Sequence, residues 1–258
     1  MRQHTLEDLR KWFERYVAGF KSGDAVRDAS FTLKEEHTHR VCREILYIGE
    51  ELRLAPEERA LAEAIALLHD TGRFEQFARY GTFNDRESAD HAALGVRILR
   101  EKGALAAVDP PERELILRAI AYHNRPVLPT DESERCLLFS RMIRDADKLD
   151  IWGVFLDHYA RRDSDEAVIH FLPDTPGFSE KVRRQLIGRS IVNYADITNL
   201  NDFKLLQLGW IFDLNFPPSF RRFRERRYME RYREFLPRSE KISEVFAAVE
   251  AYLAAKGI

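Results

Sequence analysis

Six histidine and aspartate side chains, all before residue 150, are the groups of this sequence best suited to do chemistry. A histidine nitrogen and a carboxylate oxygen together suit a borderline or hard divalent metal ion. Neighbouring side chains within a helix point about 100° apart, but at a helix end the backbone lets both converge on one ion. Such a pair follows an apolar helical pattern at His69-Asp70. The candidate ligands are His37, His69, Asp70, His91, His123 and Asp147.

These candidate ligands lie on or beside separate predicted helices. Apolar residues at helical spacing predict a helix that begins at Pro56 and ends at His69-Asp70. His91 opens the next predicted helix, and a helix that starts after an Asp-Pro pair carries His123 at its end. The sequence therefore predicts that helix termini position most of the site.

Two further segments complete the predicted framework. Thr32 with Glu35 is a start signal for a helix that runs through Glu51 and carries His37. Residues 71–90 contain several Gly, Asn, Asp and Ser residues and are predicted to be a loop. A loop of this length after a candidate ligand pair is often part of a site.

Five sequence motifs occur in a fixed order. They are HTHRV at 37–41, LLHDTGRF at 67–74, DHAALGVRIL at 90–99, AIAYHN at 119–124 and RDADKLDIW at 144–152. This series resembles the motifs of the HD superfamily of metal-dependent phosphohydrolases, and the resemblance covers roughly residues 33–155. It implies an HD-domain-like helical bundle, which agrees with the absence of convincing β-alternating runs in the sequence. We therefore expect an all-α fold with additional C-terminal helices.

The resemblance also implies which residues bind metal. One divalent ion would be held by four residues, namely His37, His69, Asp70 and Asp147. In two-metal members of the superfamily, residues at the positions of His91 and His123 hold a second ion, with Asp70 as the bridge. In one-metal members these two histidines contact the phosphate instead. Asp145 remains open as the alternative to Asp147, and the metal remains open among Mn, Fe, Co, Ni, Zn and Mg.

The implied reaction is hydrolysis of a phosphomonoester or phosphodiester by a metal-activated water. Phosphoryl transfer needs chiefly positioning and stabilisation of negative charge. Basic residues beside the ligand motifs could supply that charge, and these are Arg73, Lys148 and Arg125. The residues expected to take part in catalysis are Asp70, His91, His123, Arg73 and Lys148. The expected partner is a small phosphorylated molecule, with nucleotides among the candidates.

Two other function classes remain open. Some HD proteins with all six ligands are di-iron oxygenases, and aerobic iron content with oxygen uptake would favour that class. Degenerate HD domains can instead bind a nucleotide without turning it over. The complete ligand series argues against such a non-catalytic module, because a module without catalysis has no need for every ligand.

Composition limits the other partners and the compartment. Lys and Arg number 41 against 43 Asp and Glu, so the formal charge of −2 gives no general attraction for nucleic acid. Arginines and aromatics alternate in residues 220–235, but glutamates dilute the charge, so we do not expect nucleic-acid binding. The two cysteines stand in apolar helical patterns, and no segment resembles a signal peptide or a membrane helix. We therefore expect a cytoplasmic protein without membrane contact.

The domain organisation follows from the extent of the motifs. We expect residues 1–165 to form the HD metal-binding domain together with an N-terminal helix. Residues 166–258 would form a helical extension packed on the same core. We expect this extension to complete the wall of the site or to form a homodimer interface.

Overall fold

The computed structural model describes residues 1–161 and 172–257. These residues form twelve α-helices and two short 3-10 helices and include no strand, which confirms the expected all-α fold. The chain divides into two compact units, residues 1–150 and 151–258. The predicted domain boundary between residues 165 and 166 lies outside the described residues.

The first unit contains six complete helices and most of a seventh, which continues into the second unit. Their bounds are α1 (Gln3–Ala18), α2 (Ala25–Glu51), α3 (Pro56–Leu68), α4 (Thr71–Tyr80), α5 (His91–Glu101), α6 (Pro110–Tyr122) and α7 (Glu134–Arg161).

Helix α3 is the centre of the first unit. Every residue from 60 to 68 is buried, and the helix packs against α1, α2 and α6. Alanines at alternate positions of this segment keep the side chains small, so neighbouring helices can approach closely. The one charged residue of the segment, Glu63, pairs with Arg10 of α1. The C-terminal end of α3 therefore delivers His69 and Asp70 into the protein interior.

The prediction of a loop over residues 71–90 is wrong for the first half of that range. Thr71–Tyr80 is helix α4, and only residues 81–90 connect it to α5. Tertiary packing overrides the weak local signal, since the ring of Phe74 is fully buried against those of Phe13 and Phe31. Gly81 ends the helix in the left-handed conformation, with a φ of 68°.

Helices α4 and α5 approach each other at Gly72. A Cβ atom on this residue would lie 2.1 Å from the main-chain oxygen of His91 and 2.7 Å from the main-chain nitrogen of Gly95. Only glycine therefore allows this contact between the two backbones. The contact sets the first turn of α5, and with it His91, beside Asp70.

Helix α2 begins at Ala25, about two turns earlier than Thr32, the predicted start. Asp24 is its N-cap, and Oδ1 of Asp24 accepts hydrogen bonds from the main-chain N–H groups of Val26 and Arg27. This aspartate satisfies two of the amides that every helix start leaves without a partner. Thr32 then lies inside the helix, and His37 lies near its middle.

In its described residues, the second unit contains the end of α7 and five further α-helices. These are α8 (Glu180–Ile187), α9 (Leu200–Gly209), α10 (Pro217–Glu225), α11 (Tyr228–Phe235) and α12 (Glu240–Ala255). Gln207 lies in its core, where its Oε1 accepts from the hydroxyls of Tyr159 (3.0 Å) and Tyr232 (2.9 Å). None of the helices in the described residues is long and apolar enough to cross a bilayer.

Candidate metal centre

The six predicted ligands come together inside the first unit. His37 lies on α2 and Asp147 on α7, whereas the other four stand at helix ends. His69 and Asp70 occupy the junction of α3 and α4, His91 is the first residue of α5, and His123 follows the last residue of α6. The four histidines and Asp70 are at most 6% exposed.

Two histidines and two aspartates form the first group of potential ligands. Nε2 of His37 lies 3.1 Å from Oδ1 of Asp147 and 3.5 Å from Oδ2 of Asp70. Nε2 of His69 lies 3.7 Å from Oδ2 of Asp70 and 3.8 Å from Oδ1 of Asp147. Of the two candidate aspartates on α7, it is thus Asp147 whose carboxylate faces both imidazoles.

A second group of potential ligands shares Asp70. Its other oxygen, Oδ1, lies 3.5 Å from Nε2 of His91 and 3.8 Å from Nε2 of His123. These two nitrogens are 3.0 Å apart. Asp70 therefore turns one oxygen to each group, which is the arrangement expected of a bridging carboxylate.

All four imidazoles are held through Nδ1. Nδ1 of His37 is 2.6 Å from Oδ2 of Asp150, and Nδ1 of His91 is 2.6 Å from Oδ2 of Asp85. Nδ1 of His69 and Nδ1 of His123 are each 2.7 Å from a main-chain oxygen three residues earlier. These acceptors place a proton on Nδ1 in the neutral ring, so each Nε2 carries a lone pair.

The donor atoms fit a divalent metal ion. Nε2 of His37, Nε2 of His69 and Oδ1 of Asp147 are buried and make no hydrogen bond within the described part of the chain. Buried polar atoms without a partner are costly, and a bound cation would satisfy all three. The separation of 3.0 Å between Nε2 of His91 and Nε2 of His123 equals the edge of an octahedron with bonds of about 2.1 Å.

The protonation states of the site suit cation binding. Burial alone would raise the pKa of Asp70, but Lys34, His69 and Arg73 outweigh it and hold that pKa well below its usual value. Burial likewise works against ionisation of Asp147, whose pKa is nonetheless held well below normal by His37 and His69. Two carboxylates therefore stay ionised inside the protein.

The histidines divide into two cases. Burial, and then the neighbouring His91, lower the pKa of His123 to about 3. Burial and Arg73 lower the pKa of His91 despite its hydrogen bond to Asp85. For His37, burial and Lys34 lower the pKa, but the neighbouring carboxylates of Asp147 and Asp150 outweigh them and raise it overall. His91 and His123 are thus neutral at physiological pH and available as ligands.

The predicted cationic residues differ in their positions. Arg73 lies beside the site, with Nε 3.7 Å from Oδ1 of Asp70, while its NH1 donates to Asp85, Gln76 and the main-chain oxygen of Phe83. Its contact with phosphate remains a prediction, because much of the guanidinium holds the loop over residues 81–90.

The other two predicted cations lie on the α6–α7 side of the site. Lys148 is half-buried on α7 and donates to the main-chain oxygen of Arg144 (3.4 Å). Arg125 is exposed, with its guanidinium over the ring of Tyr122 (4.8 Å). Arg144, which the sequence did not single out, donates to the main-chain oxygens of Tyr122, His123 and Arg125 and so fixes the turn that carries His123.

Three further residues of the site were not predicted. Lys34 on α2 places Nζ 2.8 Å from Oδ2 of Asp70. Asp150 joins His37 to Arg40, and Asp85 joins His91 to Arg73. Lys34 stands three residues before His37, and Asp150 stands three after Asp147, so helical spacing could have identified both. Asp85 lies in a loop without periodicity and carries no such signal.

Comparison with known proteins agrees with this geometry. The family model described as HD domain matches residues 35–152, a span that contains all six predicted ligands. Curated proteins and solved structures give no match to the chain. Residues 35–152 are therefore similar to the HD domain, which is found in general in divalent-metal-dependent phosphohydrolases.

Proposed function

We propose that this protein hydrolyses a small phosphorylated molecule, with nucleotides among the candidate substrates, by means of one or two divalent metal ions. The observation that carries this proposal is the common orientation of four imidazoles, each anchored at Nδ1, around the two carboxylates. A divalent ion bound there would lower the pKa of a coordinated water to roughly 7 to 9 and polarise a phosphoryl oxygen.

The protein's own residues would prepare the site in three ways. Asp150 and Asp85 keep His37 and His91 in the tautomer that presents Nε2. Burial excludes bulk water from the ligands, which strengthens their electrostatic interactions with an anionic substrate. Lys34 and Arg73 stand on opposite oxygens of Asp70 and supply positive charge at the edge of the centre.

The test is a phosphatase assay on protein purified without chelator and supplied with Mn, Fe, Co, Ni, Zn or Mg. Asp70→Asn and His37→Gln should each remove bound metal and at least 99% of the hydrolysis, because both take ligands from the centre. His39→Gln is the matched control, since His39 lies two residues from His37 on the same helix but is exposed. Hydrolysis at an undiminished rate in Asp70→Asn would contradict the proposal.

A di-iron oxygenase is the second candidate, and the close pair His91 and His123 favours it because it completes a six-ligand set. Protein isolated with two iron ions per chain, oxygen uptake and no hydrolysis of a phosphoester panel would support that reaction instead. Tight nucleotide binding by metal-loaded protein without product release would support a non-catalytic module.

A further inference from the structure

Lys34 is a cation inside the centre that none of the sequence motifs contains. It lies on α2 one turn before His37, and its Nζ is 2.8 Å from Oδ2 of Asp70. The ammonium also lies 5.5 Å from the centre of the Phe83 ring, on the loop that leads to α5. The side chain is 16% exposed, so it is held inside the site yet remains open to solvent on one side.

The hydrogen-bonding capacity of Lys34 is not used up. An ammonium group has three N–H donors, and in the described residues the acceptor bonded to Nζ is Oδ2 of Asp70. Arg40, by contrast, directs two nitrogens to Asp150, and NH1 of Arg73 serves three acceptors. Lys34 can therefore donate to an incoming anion without giving up its contact with Asp70.

The charge of the centre favours a dianion. Asp85 is paired with Arg73, and Asp150 is paired with Arg40, so these four charges cancel. Among the charged groups in direct contact with the four imidazoles or with Asp70, this leaves Asp70, Asp147 and Lys34 with a net charge of −1, which one divalent ion would change to +1 and two ions to +3. A phosphate monoester carries about −1.5 to −2 at neutral pH, whereas a diester carries −1.

We infer that Lys34 binds a terminal phosphoryl oxygen of the substrate and selects phosphate monoesters over diesters. The inference rests on the proposed phosphohydrolase function and deepens it. A monoester presents three non-bridging oxygens, so one can accept from Lys34 while the others face the metal ligands. A diester has one fewer such oxygen and one less negative charge, so it gains less from the ammonium.

Direct binding of inorganic phosphate separates this role from turnover. Calorimetric titration of the Mn²⁺-loaded protein should show phosphate binding that Lys34→Met weakens by about 10- to 100-fold, the loss expected for one charge-assisted hydrogen bond. Lys34→Arg should retain most of the affinity. Lys21→Met is the matched control, because Lys21 forms an ion pair with Glu35 that lies outside the ligand groups. Metal content should be equal in all four proteins or higher in Lys34→Met.

The activity test compares p-nitrophenyl phosphate with bis(p-nitrophenyl) phosphate. Lys34→Met should reduce kcat/KM for the monoester at least tenfold and for the diester less than threefold. Equal losses on both esters, unchanged phosphate affinity, or loss of metal together with phosphate would each overturn the inference. If the wild type hydrolyses neither ester, the proposed function fails, whereas the phosphate titration still decides whether Lys34 binds the anion.

Discussion

Nε2 of His91 and Nε2 of His123 face each other at 3.0 Å in the interior of the first unit. Their Nδ1 atoms are engaged by Asp85 and by the main-chain oxygen of Ile120, so the facing nitrogens both carry lone pairs when the rings are neutral. Two lone pairs at this distance repel each other unless a positive charge lies between or beside them. This arrangement of His91 and His123 therefore favours a bound cation. The residues that orient the two imidazoles should then control metal affinity.

Asp85→Asn should weaken metal binding by about 10- to 100-fold, because an amide no longer fixes the Nδ1 proton of His91 as a carboxylate does. The substitution keeps the size of the side chain, so the fold should be retained. Titration of the metal-free protein with Mn²⁺ measures the effect. Asp28→Asn changes a half-buried carboxylate near the start of α2, outside the ligand groups, and should leave the affinity as in the wild type. Equal affinities in all three proteins would show that Asp85 does not orient His91.

Gly72→Ala should separate α4 from α5 and displace His91 from Asp70. The added methyl group would lie 2.1 Å from a main-chain oxygen, which cannot move out of the way as a flexible side chain can. We expect a loss of about 3 kcal/mol in the free energy of unfolding, together with reduced metal content. Urea denaturation and elemental analysis measure the two effects.

Gly177→Ala is the control for the glycine substitution, because a Cβ atom there meets no heavy atom within 4 Å among the described residues. Its stability should stay within about 0.5 kcal/mol of the wild type. Wild-type stability and metal content in Gly72→Ala would contradict the close contact between α4 and α5.

The metal-free protein should lose stability as the pH falls below about 6.5, the ordinary pKa of histidine. The pKa of His123 is lowered to about 3 in the folded protein, so between these values the unfolded chain binds a proton that the folded protein does not. The contribution of His123 is therefore complete above pH 6.5 and decreases at lower pH by at most about 1.4 kcal/mol per pH unit.

His123→Asn should remove this dependence. With chelator present, the free energy of unfolding should fall between pH 7.5 and pH 5.5 by about 1 kcal/mol less in the variant than in the wild type. Urea titrations at the two pH values measure the difference. An identical decrease in both proteins would mean that His123 is not held neutral by burial.

Gln207→Ala should destabilise the second unit and leave the metal centre intact. The substitution removes the shared acceptor of two buried hydroxyls, those of Tyr159 and Tyr232, at a cost of about 2 to 4 kcal/mol. A lower melting temperature with unchanged metal content is the expected result. Loss of metal in this variant would contradict the location of all ligands within residues 1–150.

The candidate ligands at helix ends could be predicted from the sequence more readily than the residues that orient their side chains. His69, Asp70, His91 and His123 stand at helix ends, where capping and apolar periodicity mark the position of each residue. The sequence did not predict helix α4, because this helix is stabilised by the packing of Phe74 against rings that are distant in the sequence. No local pattern encodes such a contact. The role of Asp85 was not predicted either, because its position depends on hydrogen bonds from Arg73 and Gln76, which both lie on helix α4.

The anomalous scattering of crystals grown with Mn²⁺ tests the central claim most directly. The account predicts a peak about 2.0 to 2.4 Å from Nε2 of His37, Nε2 of His69 and the carboxylates of Asp70 and Asp147, with any second peak beside His91 and His123. A peak bonded to Nδ1 atoms, a peak elsewhere in the protein, or no peak at saturating Mn²⁺ would contradict it.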